Sequence, residues 1–499
     1  MGNRFMAGKS PASRKPIMIA SSSEKWGLYV FLVGVTSAYY LLNAPILLGH
    51  YDLGWHLAAG DLIRAQGGIP AHDPWSFTAG AKPWINLSWL WDVLASFLFQ
   101  KAGFGGLVLL AVACGAAIAG TLGAIGLRSG ASTMAVCISV LSASLLYPAF
   151  ASFPNIYLAA SPNMATMLFC VIFYGECLRP GKWLDRRFLL LPALMALWTN
   201  LHGGFLIGLF IVGFFCALAL LKQDWRGAKI HAAVAGACLL AALINPLGWH
   251  IYQATTTTLG NFVQAYITEW WPYYRNVTFP GGIPGLLYIL VFAALELSEP
   301  RSGRIEARLL SWLFLGLGLY QFRYMSFFFL FSTVPLAHHL DRHLARRPGL
   351  PAAAKFLPAA GILAACALPL IFLRLAPSFG LPDMISKRDA AYLESHYPHA
   401  RLLNHWNYGG LLIFYLRGAV PVFVDGRAST AYPDGMLRDY FKLTEWKVDE
   451  AAWDAVLRKY NIDAVLWVRA HRELRQFLVQ RRGWKEAYTG SYASLYVRP

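Results

Sequence analysis

The chain has 499 residues, 57% of them hydrophobic and 14% charged, against about 25% charged in an ordinary soluble domain. That balance excludes a soluble enzyme, a disordered chain and a solenoid with a polar surface. The formal net charge of +17 sits mostly in short loops between apolar blocks. This fits the positive-inside bias, with a bilayer and its anionic headgroups as the partner and no nucleic acid.

The N-terminal segment, 1–26, is polar and basic, with Arg4, Lys9, Arg14, Lys15 and Lys25. It reads as cytoplasmic. The first apolar block, 27–48, is near the ~20 residues that a spanning helix needs and longer than the core of a cleavable signal peptide. Further blocks follow at 88–104, 105–127, 132–149, 161–178, 188–201, 203–222, 229–246, 283–298, 309–322, 323–340 and 355–376. Basic loops at 179–187, 222–229, 301–308 and 342–347, taken as cytoplasmic, let the second half alternate without strain. In the first half an even number of crossings must separate the N-terminus from 179–187, and five blocks lie there. The block 88–104 is therefore expected to lie along the outer interface or to re-enter. About eleven crossings remain.

Three segments then fall outside the bilayer on the outer side: a first loop, 49–87, a second loop, 247–282, and the tail, 378–499. The tail alternates helix-like stretches with short β-branched runs at 401–403, 420–424, 464–468 and 494–497. Helices between such runs predict a small α/β layer domain, and about 120 residues suffice for its own core. The fold class is thus mostly α: a polytopic transmembrane bundle of about 11–13 helices, residues 27–377, with a C-terminal extracytoplasmic α/β domain. The seven cysteines lie in apolar stretches without metal-ligand spacing and read as small core residues.

Ionisable groups near membrane depth usually face a cavity or a pathway. The first loop is the densest in them. Asp52 and His56 are four residues apart and share a face if the segment is helical. A carboxylate beside an imidazole at a membrane surface suits a general base or a metal site; it equally suits a loop whose aspartates cap helices. Asp73 before Pro74 fits an N-cap with proline at the first helical position. Lys82 and Trp84 follow. His202 lies in the turn 200–204, where Gly203 and Gly204 permit a sharp apex or a close backbone approach. Glu269, between aromatics, suits a sugar hydroxyl, although Trp270 and Trp271 beside it also read as an interface anchor. Arg323 stands alone at an outer apex; its planar fork matches a phosphate, and it can also snorkel to headgroups. In the tail, 404–410 and 424–427 follow predicted strands, where loops often bind, and Asp425-Gly426 is also a plain turn signal.

Taken together, Asp52 to Gly60, Asp73 to Thr78 and Trp84 to Trp91 resemble a family of bacterial polytopic proteins. That family is grouped with the GT-C glycosyltransferases, near the lipopolysaccharide galacturonosyltransferase-like group. The turn 200–204, Asn245-Pro246-Leu247-Gly248, Glu269-Trp270, Asn407-Tyr408-Gly409-Gly410 and Asp425-Gly426-Arg427 look like it too. The resemblance implies a polyprenyl-phosphate-linked sugar as donor and transfer on the outer side of the bacterial inner membrane, usually with inversion. The tail would then be periplasmic, and the acceptor is an envelope lipid, glycan or protein. Asp52 would hold the acidic position, as base toward the acceptor hydroxyl or as the group that positions it. His56, Asp73, Lys82, Trp84, His202, Glu269 and Arg323 would bind substrate, with Arg323 and Lys82 toward the lipid phosphate. Some GT-C enzymes need a divalent metal and others do not. Relatives often carry two acids where this chain has Tyr51 and Asp52, which leaves Asp52 and His56 as the candidate ligands. The alternatives are a transporter or flippase, against which the lack of matching halves counts, and a non-catalytic envelope scaffold.

Overall fold

The computed structural model describes residues 22–43, 51–150, 160–179, 185–276, 282–298, 303–345, 385–443 and 447–499. Most of the N-terminal segment, and the apolar block 355–376, lie outside the described residues.

Helices fall on the apolar blocks because each block is long, rich in Leu, Ala and Phe, and bounded by glycine, proline or charge. They are α1 (Ser22–Leu42), α3 (Trp89–Arg128), α4 (Thr133–Phe150), α5 (Asn163–Cys177), α6 (Arg187–Leu201), α7 (Phe205–Leu221), α8 (Trp225–Ala241), α10 (Gly282–Ser298), α11 (Ile305–Tyr320) and α12 (Met325–Ala345). Two shorter helices, α2 (Leu53–Gln66) and α9 (His250–Leu259), fall in the loops 49–87 and 247–282. The blocks 88–104 and 105–127 form one element, α3, broken at Gly103, whose φ of 59° and ψ of −152° only glycine adopts readily. Among the described residues α3 is the one helix long and apolar enough to cross a membrane by itself. Shorter apolar helices such as α5, α6 and α7 have 15, 15 and 17 residues, so helix length alone does not give eleven crossings.

The bundle is apolar inside and out. Phe173, Trp198 and Phe328 are fully buried, whereas Leu189, Leu221 and Leu297 are 80%, 80% and 82% exposed. A helix that is hydrophobic all round suits a lipid surround. Charged residues gather where α5 ends and α6 begins: Glu176 is held by Arg179 and Arg186, and Asp185 pairs with Arg187 at 2.7 Å.

The tail carries a four-stranded sheet in the order β1-β2-β4-β3. Its strands are β1 (Leu402–Asn404), β2 (Ala464–Val468), β3 (Lys485–Thr489) and β4 (Ala493–Val497). β1 and β2 are parallel; β2–β4 and β3–β4 are antiparallel. Helices α13 (Lys387–His396), α14 (Trp406–Leu416), α15 (Asp434–Phe441) and α16 (Glu450–Lys459) accompany it. The run 420–424 is not a strand of this sheet. Its backbone is taken by other partners: the Asn404 side chain accepts from Phe423 N–H at 2.8 Å and donates to the Val424 carbonyl at 2.8 Å, and Val422 N–H donates to the Trp75 carbonyl at 3.0 Å. β3, which was not expected, is a charged and partly exposed edge strand without a β-branched run.

The first loop does not stand apart from the tail. Trp55, Trp75 and Trp84 share one buried core with Leu402, Phe423 and Tyr432. α2 lies directly on α14: a Cβ on Gly54 would strike the Gly410 carbonyl, and one on Gly410 would strike the Tyr51 carbonyl. Arg427 fastens the junction. Its guanidinium, fully buried, pairs with Asp73 at 2.7 Å and Asp425 at 2.6 Å and lies 4.9 Å from the centroid of the Trp84 ring. Asp73 caps no helix; its carboxylate accepts the Trp75 N–H at 3.0 Å and the Arg427 fork. Lys82 donates to the carbonyls of Ser429 at 2.5 Å and Tyr432 at 2.6 Å.

Removing one member of a buried ion cluster leaves the others uncompensated and costs about 3–5 kcal/mol. Arg427→Ala is expected to lower stability by about that amount, because two buried carboxylates lose their counter-charge. Arg427→Lys, which lacks the fork, should recover little of it. Thermal unfolding of the detergent-solubilised protein measures both; an unchanged midpoint in Arg427→Ala would show that the cluster does not hold the junction.

Candidate active site

A cavity of about 880 Å³ opens between the bundle, the loops 49–87 and 247–282 and the tail, within the size range of small-molecule sites. Asp52, His56, Trp84, His202, Glu269 and Arg323 line it. Asp73 and Lys82 are not among its lining residues, because their charges are used in the junction with the tail.

Asp52 stands at the N-terminus of α2 but makes no side-chain cap bond there. The turn 425–427 lies hard against its carboxylate: a Cβ on Gly426 would run into it. One helical turn on, His56 also lines the cavity. Its Nδ1 is 2.6 Å from Asp92 Oδ1, and the Asn86 amide donates to Asp92 Oδ2 at 2.8 Å. Trp55 covers the imidazole, with ring centroids 3.6 Å apart. Asp92 was missed by sequence reasoning, which treated 88–92 as an interfacial helix start. The available signal was a single carboxylate in the otherwise apolar opening of α3.

His202 occupies the apex between α6 and α7. Its Nδ1 accepts from the Gly204 N–H at 3.2 Å and from the Thr166 hydroxyl at 2.8 Å, while Trp198 Nε1 donates to that hydroxyl at 2.8 Å. With Nδ1 an acceptor, the neutral ring carries its proton on Nε2. Burial, reinforced by the charge of Arg323, pushes the His202 pKa down to about 3. His202 is thus a neutral N–H donor near pH 7.

Glu269 and Arg323 meet across the same space. Their separation is 3.3 Å, longer than the 2.7–2.9 Å typical of charge-assisted bonds, and the Arg323 guanidinium sits 3.9 Å over the Trp270 ring. Burial pushes the Glu269 carboxyl above the usual carboxylate range; Arg323 opposes the shift and the nearby Asp52 adds to it. Among the described residues, two buried polar atoms on cavity residues have no hydrogen-bond partner, Glu269 Oε2 and Trp55 Nε1, and such an orphan costs about 1–3 kcal/mol. The tail supplies further lining, including His405, Trp406, Asn407 and Tyr492.

The described residues contain no group of three or more His, Cys, Asp or Glu side chains placed to hold an ion. Asp52 and His56 are two, and one nitrogen of His56 is taken by Asp92.

No protein-family model matches the sequence, and no curated protein does. Solved structures match over nearly the whole chain. ArnT from Cupriavidus metallidurans bound to undecaprenyl phosphate aligns with a TM-score of 0.54 at 13% identity, covering 95% of this chain and 98% of that one. The archaeal oligosaccharyltransferase AglB from Archaeoglobus fulgidus, in complex with an inhibitory peptide and a dolichol-phosphate, aligns with a TM-score of 0.62 at 12% identity, covering 95% and 74%. The Archaeoglobus fulgidus oligosaccharyltransferase in complex with zinc and sulfate gives 0.57 at 12% identity, covering 94% and 72%. Both proteins are GT-C glycosyltransferases, and the fold of this chain is the GT-C fold.

The state of His202 has a measurable consequence. A histidine whose folded pKa is about 3 against an ordinary 6.5 stabilises the fold above 6.5, and that contribution is lost as pH falls toward 3. In this window the unfolded chain binds a proton that folded His202 refuses. His202→Asn is expected to lose less stability than the parent between pH 6.5 and 3. Unfolding midpoints across that range test this, and parallel curves would contradict a buried neutral imidazole.

Proposed function

We propose that the chain is a membrane glycosyltransferase that moves a sugar from a polyprenyl-phosphate donor to an envelope lipid, glycan or protein. The reaction takes place at the outer side of a bacterial inner membrane, with the N-terminus cytoplasmic and the tail periplasmic. The observation that carries the proposal is the convergence of Asp52, His202, Glu269 and Arg323 on one cavity. The fold around it is shared with proteins solved with undecaprenyl phosphate or dolichol-phosphate bound.

Each group has a task that its chemistry suits. The loose ion pair of Arg323 with Glu269 lets a lipid phosphate compete for the guanidinium, whose fork donates two parallel bonds. His202 adds a neutral donor at the same wall, so charge that develops on the departing phosphate oxygen meets preset N–H groups. The sugar lies against Trp84 and Trp270, which line the cavity beside Glu269. Asp52 receives the acceptor hydroxyl opposite the leaving phosphate, a geometry that inverts the anomeric centre. The basic loops of the bundle meet anionic headgroups on the cytoplasmic side.

Two variants test the reading with radiolabelled polyprenyl-phosphate sugar in proteoliposomes. Asp52→Asn is expected to lower transfer by at least about 10²-fold with an unchanged unfolding midpoint. Gly426→Ala displaces the Asp52 carboxylate without removing it, and a misplacement near 1 Å costs about 10²-fold. Parent-like transfer by Asp52→Asn would remove that carboxylate from the mechanism.

A further inference from the structure

Glycosyl transfer takes a proton from the acceptor hydroxyl, and a pair of side chains, one lining the cavity and one buried behind it, bears on where that proton goes. His56 lies one turn beyond Asp52 on α2, buried yet lining the cavity. Its Nδ1 is 2.6 Å from the Asp92 carboxylate, which is fully inaccessible to solvent. The other Asp92 oxygen is held by Asn86 at 2.8 Å, and Asn86 is itself fixed by the Ser88 N–H at 3.0 Å. Among the described residues no side chain bonds the remaining nitrogen, Nε2. The pair is also rigid. Trp55 stacks on the imidazole, and Gly60 lets α2 lie so close to α3 that a Cβ there would strike the Asp92 carbonyl.

A buried carboxylate accepting from Nδ1 fixes the tautomer, directs the basic lone pair of Nε2 to the open side and stabilises the imidazolium once it forms. Asp92 from α3 bonds this imidazole, His202 from the α6–α7 apex is near it, and the ionisable groups that line the same cavity are Asp52 at the start of α2, Glu269 from the loop 247–282 and Arg323 from the α11–α12 turn. His202 is neutral, and Glu269 pairs with Arg323. Among the described residues the pairing with Asp92 is the side-chain hydrogen bond that His56 makes.

Resting on the glycosyl-transfer reading, we propose that His56, oriented by Asp92, is the proton acceptor of the reaction, while Asp52 holds the attacking hydroxyl in line. The acceptor oxygen forms its bond to the anomeric carbon as the bond from that carbon to the phosphate oxygen breaks. The bonding pair leaves with the lipid phosphate, the hydroxyl proton passes to His56 Nε2, and the imidazolium returns it to water. His56 is the catalytic residue of the pair and Asp92 the positioning residue. A purely structural His–Asp pair would be served as well by any donor at the Nδ1 position.

That distinction sets the experiment. His56→Asn keeps an N–H near the Nδ1 position for Asp92 and removes Nε2. The full-length variant in proteoliposomes is compared with the parent for binding of undecaprenyl phosphate and for release of label from radiolabelled polyprenyl-phosphate sugar. The expected result is unchanged lipid binding, kcat lower by about 10²–10⁴-fold, and partial recovery on addition of free imidazole, which a structural role would not give. Asp92→Asn should reduce kcat with little change in KM, and imidazole should not restore it. If His56→Asn turns over within about twofold of the parent, or loses activity that imidazole does not restore, the proton role is overturned and the transfer reading stands. If the parent neither binds the lipid nor releases label, both are overturned.

Discussion

The buried guanidinium of Arg427 is the contact on which the site depends. It draws Asp73 from the first loop and Asp425 from the tail into one cluster beneath Trp75 and Trp84. Without that counter-charge, two carboxylates at a dry junction would repel each other and resist burial. With it, the turn 425–427 presses on Asp52, and Gly426 is the residue that permits the approach. Segments more than 300 residues apart in sequence thus form one wall of one cavity.

Inside the cavity, charges are held in states that suit binding more than stability. Asp52 and Glu269 are close enough for the first to push up the second. Arg323 lies 3.3 Å from Glu269, longer than a typical charge-assisted bond. Buried polar atoms without a partner also occur elsewhere among the described residues; what sets this cleft apart is the number of ionisable groups it brings together. The glycines at 54, 60, 410 and 426 serve the same end, because each brings backbone or carboxylate closer than a side chain would allow.

Much of this was legible in the sequence. The apolar blocks translate almost directly into helices, and Asp52 with His56, His202, Glu269 and Arg323 were recognisable as polar groups set in apolar surroundings. The misreadings share a cause. Asp73 looks like a helix cap and Lys82 like a phosphate ligand because local pattern shows residue type but not distant partners; both are spent on the tail. The run 420–424 has strand composition, yet its backbone is satisfied by Asn404 and by the first loop. Asp92 escaped notice because its partners, His56 and Asn86, belong to a different element.

The sequence by itself determined the helix periods, the three segments between and after the apolar blocks and the chemical types available for a site. These follow from hydrophobic patterning and from the cost of polar groups near lipid, which act over a few residues. The tertiary structure decided which of those groups meet. Whether a carboxylate faces a cavity or an arginine depends on long-range close packing, and no local rule encodes a contact across 350 positions of chain.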